Sequence, residues 1–135
     1  MPHVDINWMV VVVAAIVNMV VGAAWYSGAL FGKQWSQLTG RKLEDMRKNA
    51  GPGYAVTAVG ALVQAWILVH FVAYAQATTA VKGAVVGFML WLGFVAITQG
   101  VNTVFAGTRK KLWAINTGYF LVVLVINGAL LAAWK

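Results

Sequence analysis

Apolar residues in this chain fall into four long runs, at 8–26, 54–76, 83–105 and 112–134, and none of the four contains Lys, Arg, Asp or Glu. Each run is close to the roughly 20 residues that a helix needs to cross a hydrocarbon core of about 30 Å. Their many Val, Ile and Gly residues would make poor helices in water. In lipid the backbone has no water to bond, so a helix forms regardless. The pattern predicts an all-α, polytopic membrane protein. It is a four-helix transmembrane bundle making one domain over 1–135, with a single long polar connection at 31–53.

The residues between the runs set the orientation. Lys33, Arg41, Lys42, Arg47 and Lys48 lie in the first connection, and Arg109, Lys110 and Lys111 in the third. In a chain of four spans these share one side, and only Lys82 and Lys135 fall on the other. Eight against two places the first side in the cytoplasm and both termini outside. The segment before the first run carries His3 and Asp5 but no Lys or Arg. A cleaved signal peptide starts with positive charge, so the first run is expected to stay as a span. Trp8, Trp25, Tyr26, Tyr54, Tyr74, Trp113 and Trp134 sit near the run ends, as an interfacial aromatic belt would. In the first connection Phe31, Trp35, Leu38, Leu43 and Met46 share one broad side of a helix, with basic residues opposite. That suits a helix lying on the inner leaflet; a solvated connector is the alternative. Gly40 should break or bend it, and Gly51-Pro52-Gly53 should end the connection before the second span.

Composition adds exclusions. The chain is 61% apolar and 10% charged, where a soluble domain has about 45–50% and about 25%. Its net charge is +7. Scattered through loops, that charge points to topology and to anionic lipid headgroups at the eight inner residues, not to nucleic acid. There is no cysteine, hence no disulfide, thiolate metal site or cysteine nucleophile. No span holds a carboxylate or a second histidine beside His70. No metal, cofactor or catalytic acid–base pair is therefore expected.

The informative residues are then the intramembrane amides and their neighbours. Asn18, Gln64, Thr98, Gln99, Asn102 and Asn116 are distributed over the four runs and are expected to form one polar cluster inside the bundle. His70 and Asn127, with Asn7 and Asp5, are expected to form a second group toward the outer side. The inner cluster either lines a solute path or binding site or ties helices together. His70 either titrates and gates something, or stays neutral and donates to a backbone carbonyl or to Asn127. Gly83-x-x-x-Gly87 matches the close-packing motif, acting within one chain or between chains.

Phe31-Gly32-Lys33-Gln34-Trp35 after the first run, and Phe105-Ala106-Gly107-Thr108-Arg109 with Trp113 after the third, are compatible with a tandem two-plus-two duplication. Five further segments occur in order across nearly the whole chain: Gly22-Ala23-Ala24-Trp25-Tyr26-Ser27, Leu30-Phe31-Gly32-Lys33-Gln34-Trp35, Leu90-Trp91-Leu92-Gly93-Phe94, Asn102-Thr103-Val104-Phe105 and Ile115-Asn116-Thr117-Gly118-Tyr119. Together they resemble the bacterial membrane-protein family known as domain of unknown function 1761. Gly28 and Ala29 stand where that family often has a proline after Trp-Tyr-Ser, a departure that affects only loop shape. The resemblance implies four spans in a bacterial inner membrane and implies no activity. Two function classes remain. One is a homo-oligomeric facilitative pore or carrier for a small solute. The other is a non-transporting accessory, assembly or lipid-interacting scaffold. A wet cavity lined by Asn18, Gln99, Asn102 and Asn116 would favour the first, and a dry, amide-bonded core the second.

Overall fold

The structure is a computed structural model that describes residues 3–41 and 50–134. Lys42, Leu43, Met46, Arg47 and Lys48, assigned above to the basic connection, lie outside the described residues. The described residues form helices α1 (Trp8–Trp25), α2 (Gly32–Thr39), α3 (Ala50–Tyr74), α4 (Ala80–Leu90), a π-helical segment (Trp91–Ala96), α5 (Ile97–Ala106) and α6 (Lys110–Ala133). Four stretches are long and apolar enough to cross a membrane: Trp8–Trp25, Gly51–Tyr74, Ala80–Ala106 and Lys110–Ala133. The third of these joins α4, the π segment and α5 into one span.

Local chemistry explains the ends. The Asn7 side chain caps α1 by accepting from the Met9 amide at 3.2 Å, and Thr79 caps α4 by accepting from the Lys82 amide at 3.2 Å. Each satisfies a first-turn N–H that has no intrahelical partner. Helices α2 and α5 stop at Gly40 (φ 73°) and Gly107 (φ 71°), a left-handed backbone that glycine adopts without steric cost. Gly40 thus ends α2 as expected. Gly51-Pro52-Gly53 lies at the start of the described α3, where the second candidate span begins. The short match between the two halves fails to carry into structure. Phe31 stands just before α2, beyond the end of α1, whereas Phe105 is still inside α5.

Helix α6 is central and touches α1, α2, α3 and α4. Its most extensive contact is with α4, where the two backbones meet through glycine. A Cβ on Gly83 would overlap the Gly128 carbonyl and the Ala132 methyl, and one on Gly87 would overlap the Leu124 carbonyl. Lipid tails are as apolar as leucine, so helices in a membrane associate by close packing, and small residues permit it. Gly83-x-x-x-Gly87 therefore acts within the chain. On the other side of α6, Val10, Val11 and Ala14 of α1 and Ala65, Leu68 and Val72 of α3 pack with Leu124 and Leu131.

The π segment changes the phase of the third span. The Ile97 N–H donates to the Leu92 carbonyl, five residues back, so the helix accommodates an extra residue, each worth about 100° of rotation. An unbroken α-helix would extend the inward face of Gly83 and Gly87 to Phe94, Thr98, Val101 and Phe105. Those residues are exposed instead, Phe94 and Phe105 at 72% and 88%. Ala96, Gly100 and Thr103 turn inward in their place.

Candidate functional site: an intramembrane amide and tyrosine network

Helix α1 presents Ala14, Asn18 and Gly22 along one face, at the four-residue spacing that keeps them together. The Asn18 amide N–H donates to Gln64 Oε1 of α3 at 2.9 Å. From α6, the Tyr119 hydroxyl reaches both the Asn18 backbone carbonyl, at 3.0 Å, and its side-chain Oδ1. A phenol fits here because the next turn of α1 carries Gly22, where a Cβ would stand 3.1 Å from the Tyr119 oxygen. Tyr26, just past α1, meets the Tyr119 ring edge-on at 5.7 Å. Its hydroxyl donates to Asn116 Oδ1 at 2.8 Å. Gln64, Asn18 and Tyr119 therefore form one hydrogen-bonded line joining α3, α1 and α6, and the Tyr26–Asn116 bond adjoins it through the contact of the two tyrosine rings.

Indole groups add a second set of cross-links. Trp25 donates to the Ile115 carbonyl at 2.8 Å, passing over Gly118, where a Cβ would meet the indole at 3.1 Å. Trp91 donates to the Thr117 carbonyl at 2.7 Å, and Trp113 donates back to the Ala96 carbonyl at 3.0 Å. These last two bracket the π segment against α6. Asn127 donates to the Ala14 carbonyl at 3.0 Å, while its own Oδ1 is buried without a protein partner.

The inner cluster expected from sequence is thus divided. Asn18, Gln64 and Asn116 are brought together, with Tyr26 and Tyr119 supplying hydroxyls that the amide pattern alone did not indicate. Thr98, Gln99 and Asn102 are not part of it; all three are exposed on α5. The cause is the π phase shift, together with the position of α5, whose main helix partner is α6. The outer group does not form either. His70 donates from Nδ1 to the Trp66 carbonyl at 2.7 Å, one of its two expected partners, and Asn127 is engaged with α1. Asp5 pairs with His3 at 3.3 Å, both fully exposed, and Asn7 is a helix cap. Trp25 and Trp113, placed above in an interfacial belt, act as interhelical donors, whereas Trp8, at the start of α1, and Trp134, just past α6, remain exposed. Lys33, Arg41, Arg109, Lys110 and Lys111 are exposed. Trp35 and Leu38, the apolar side of α2, are half-buried, with Trp35 edge-on to Tyr26 at 6.0 Å. A signal for Tyr119 was present in the sequence: it follows Asn116 by one helical turn, on a helix that must meet the glycine-bearing face of α1.

An open groove of about 510 Å³ lies at the end of the bundle that holds the N-terminal segment, between that segment, α3 and α6. Ile6, Val10, Val69, Val72, Leu131 and Trp134 are among its walls, and none of Asn18, Gln64, Asn116 or Tyr119 is. Among the described residues no three His, Cys, Asp or Glu gather to hold a metal. What these amides and phenols do chemically is tie helices to one another. Asn18 donates and accepts, Gln64 and Asn116 accept, and both phenols donate.

Four apolar helices cross-linked through glycine contacts, amides, phenols and indoles define a multi-pass helical membrane protein. The chain belongs to the family described as protein of unknown function (DUF1761), whose model matches residues 9–132. That agrees with the resemblance carried by the Trp-Tyr-Ser, Leu-Phe-Gly-Lys and Ile-Asn-Thr-Gly-Tyr segments. No curated protein and no solved structure matches it.

Proposed function

We propose that this protein is a non-transporting assembly or accessory scaffold of the bacterial inner membrane, with no reaction of its own. One observation supports this reading above the others. The amides that a solute path would need are engaged across helices: buried Asn18 with half-buried Gln64 and with Tyr119, and half-buried Asn116 with Tyr26. A group already engaged inside the protein offers less to a passing solute, and breaking those bonds in hydrocarbon is costly. In this reading both termini are outside, and α2, with Lys33 and Arg41 exposed, rests on the anionic inner leaflet beside Arg109, Lys110 and Lys111.

A homo-oligomeric facilitative pore is the second reading. The observation favouring it is the exposure of Thr98, Gln99 and Asn102 at membrane depth, since copies arranged around an axis would turn those side chains toward a lumen. Purified protein in liposomes separates the two. Stopped-flow light scattering with glycerol and urea should give the shrinkage and recovery rates of empty liposomes. Protein-dependent flux that Asn102→Leu abolishes would transfer the assignment to the pore.

A further inference from the structure

The outward face of α5 has no partner among the described residues, and its chemistry specifies one. Of the helices that cross the membrane, α5 is the strongly amphipathic segment. Thr98, Gln99 and Asn102 are exposed on it, between the exposed rings of Phe94 and Phe105. Asn102 stands little more than one turn, roughly 7 Å, inside the end of the helix at Gly107, and Thr98 lies one turn deeper. Acyl chains cannot hydrogen-bond an amide, so exposed amides at this depth need a protein partner or water. The internal glycine face cannot serve, because Gly83, Gly87 and Gly128 are closed against one another.

We infer that this face is the contact surface for a second copy of the same chain, with Asn102 meeting its counterpart across a twofold axis along the membrane normal. A carboxamide carries both donor and acceptor, so it is complementary to itself. Two copies inserted in the same direction hold their Asn102 groups at the same depth, where they exchange a reciprocal pair of N–H···O bonds. Residues 91–108 contain no charge, so nothing on the face repels an identical face. Phe94 and Phe105 supply apolar area above and below the polar centre. The contact is isologous and closes at two copies. The inference rests on the assembly reading, for which it names the partner.

The absence of cysteine makes the test direct, because each introduced cysteine is the only one. Thr98→Cys and Asn102→Cys should give disulfide-linked dimers on mild oxidation in native membranes. Val20→Cys and Val59→Cys, equally exposed on α1 and α3, should not. In nanodiscs or bicelles Asn102→Leu should weaken self-association by about 3- to 30-fold, the range expected for interhelical amide bonds. Because Asn102 is exposed, the monomer should keep its unfolding midpoint. Cross-linking at positions 98 and 102 no stronger than at 20 and 59, or cross-links only to a different protein, would overturn the inference. Solute flux through a cross-linked dimer would instead remove the non-transporting reading and leave the dimer standing.

Discussion

Replacing Gly83 with alanine adds one methyl group to a span, yet it should be among the most damaging small changes in this protein. The new Cβ would overlap the Gly128 carbonyl and the Ala132 methyl. The first of these is backbone and cannot rotate away, so α4 and α6 must separate along their whole contact. Overpacking of this kind costs about 1–3 kcal/mol. Alanine recovers about 1 kcal/mol through its better helix propensity, which leaves a net loss of about 0–2 kcal/mol. Gly60→Ala is the matched control, since a Cβ there meets nothing within 4 Å and only the propensity gain remains. The two variants should therefore differ by about 2 kcal/mol, roughly 30-fold in the folded-to-unfolded ratio. Titrating SDS into mixed micelles and following indole fluorescence reads this difference, because Trp91 and Trp113 bridge the same pair of spans. Equal midpoints for Gly83→Ala and Gly60→Ala would refute the glycine-mediated contact and, with it, the central place of α6.

Tyr119→Phe should destabilise the protein by about 0.6–2 kcal/mol, and adding Asn18→Leu should cost less than the two single changes summed, because both act on one hydrogen bond; strict additivity in the same SDS titration would break the amide and tyrosine line. A reporter that fluoresces only in the cytoplasm should be dark when fused after Lys135 and bright when inserted in the connection after Gly40; the reverse pattern would invert the topology drawn from the Lys and Arg distribution.

The four spans were legible because hydrocarbon imposes a single requirement, an unbroken apolar length, and the chain meets it four times. Asn18, Gln64 and Asn116 were legible for a related reason, since an amide in a span must find a partner. What was not legible is a matter of phase and reach. The π segment has no sequence marker of its own, and it alone decides that Ala96 and Gly100, rather than Phe94 and Thr98, face α6. The aromatic residues near the run ends fitted an interfacial belt by position. Whether an indole N–H meets a headgroup or the next helix depends on a gap between helices that only the fold creates, as Gly118 does for Trp25.

The pairing of Asn18 with two partners also sets an order of events during synthesis. Gln64 follows Asn18 by 46 residues and Tyr119 by 101. A ribosome adding about 5–20 residues per second delivers the tyrosine roughly 5–20 s after the asparagine. Through that interval the first span sits in the bilayer with its amide carbonyl uncovered, and Gln64 is the partner that arrives early. The amide-to-amide bond is then a holding contact, formed while the last span is still being made. The phenol completes it only when the chain is nearly finished, which makes Tyr119 the latch that closes the first span onto the last.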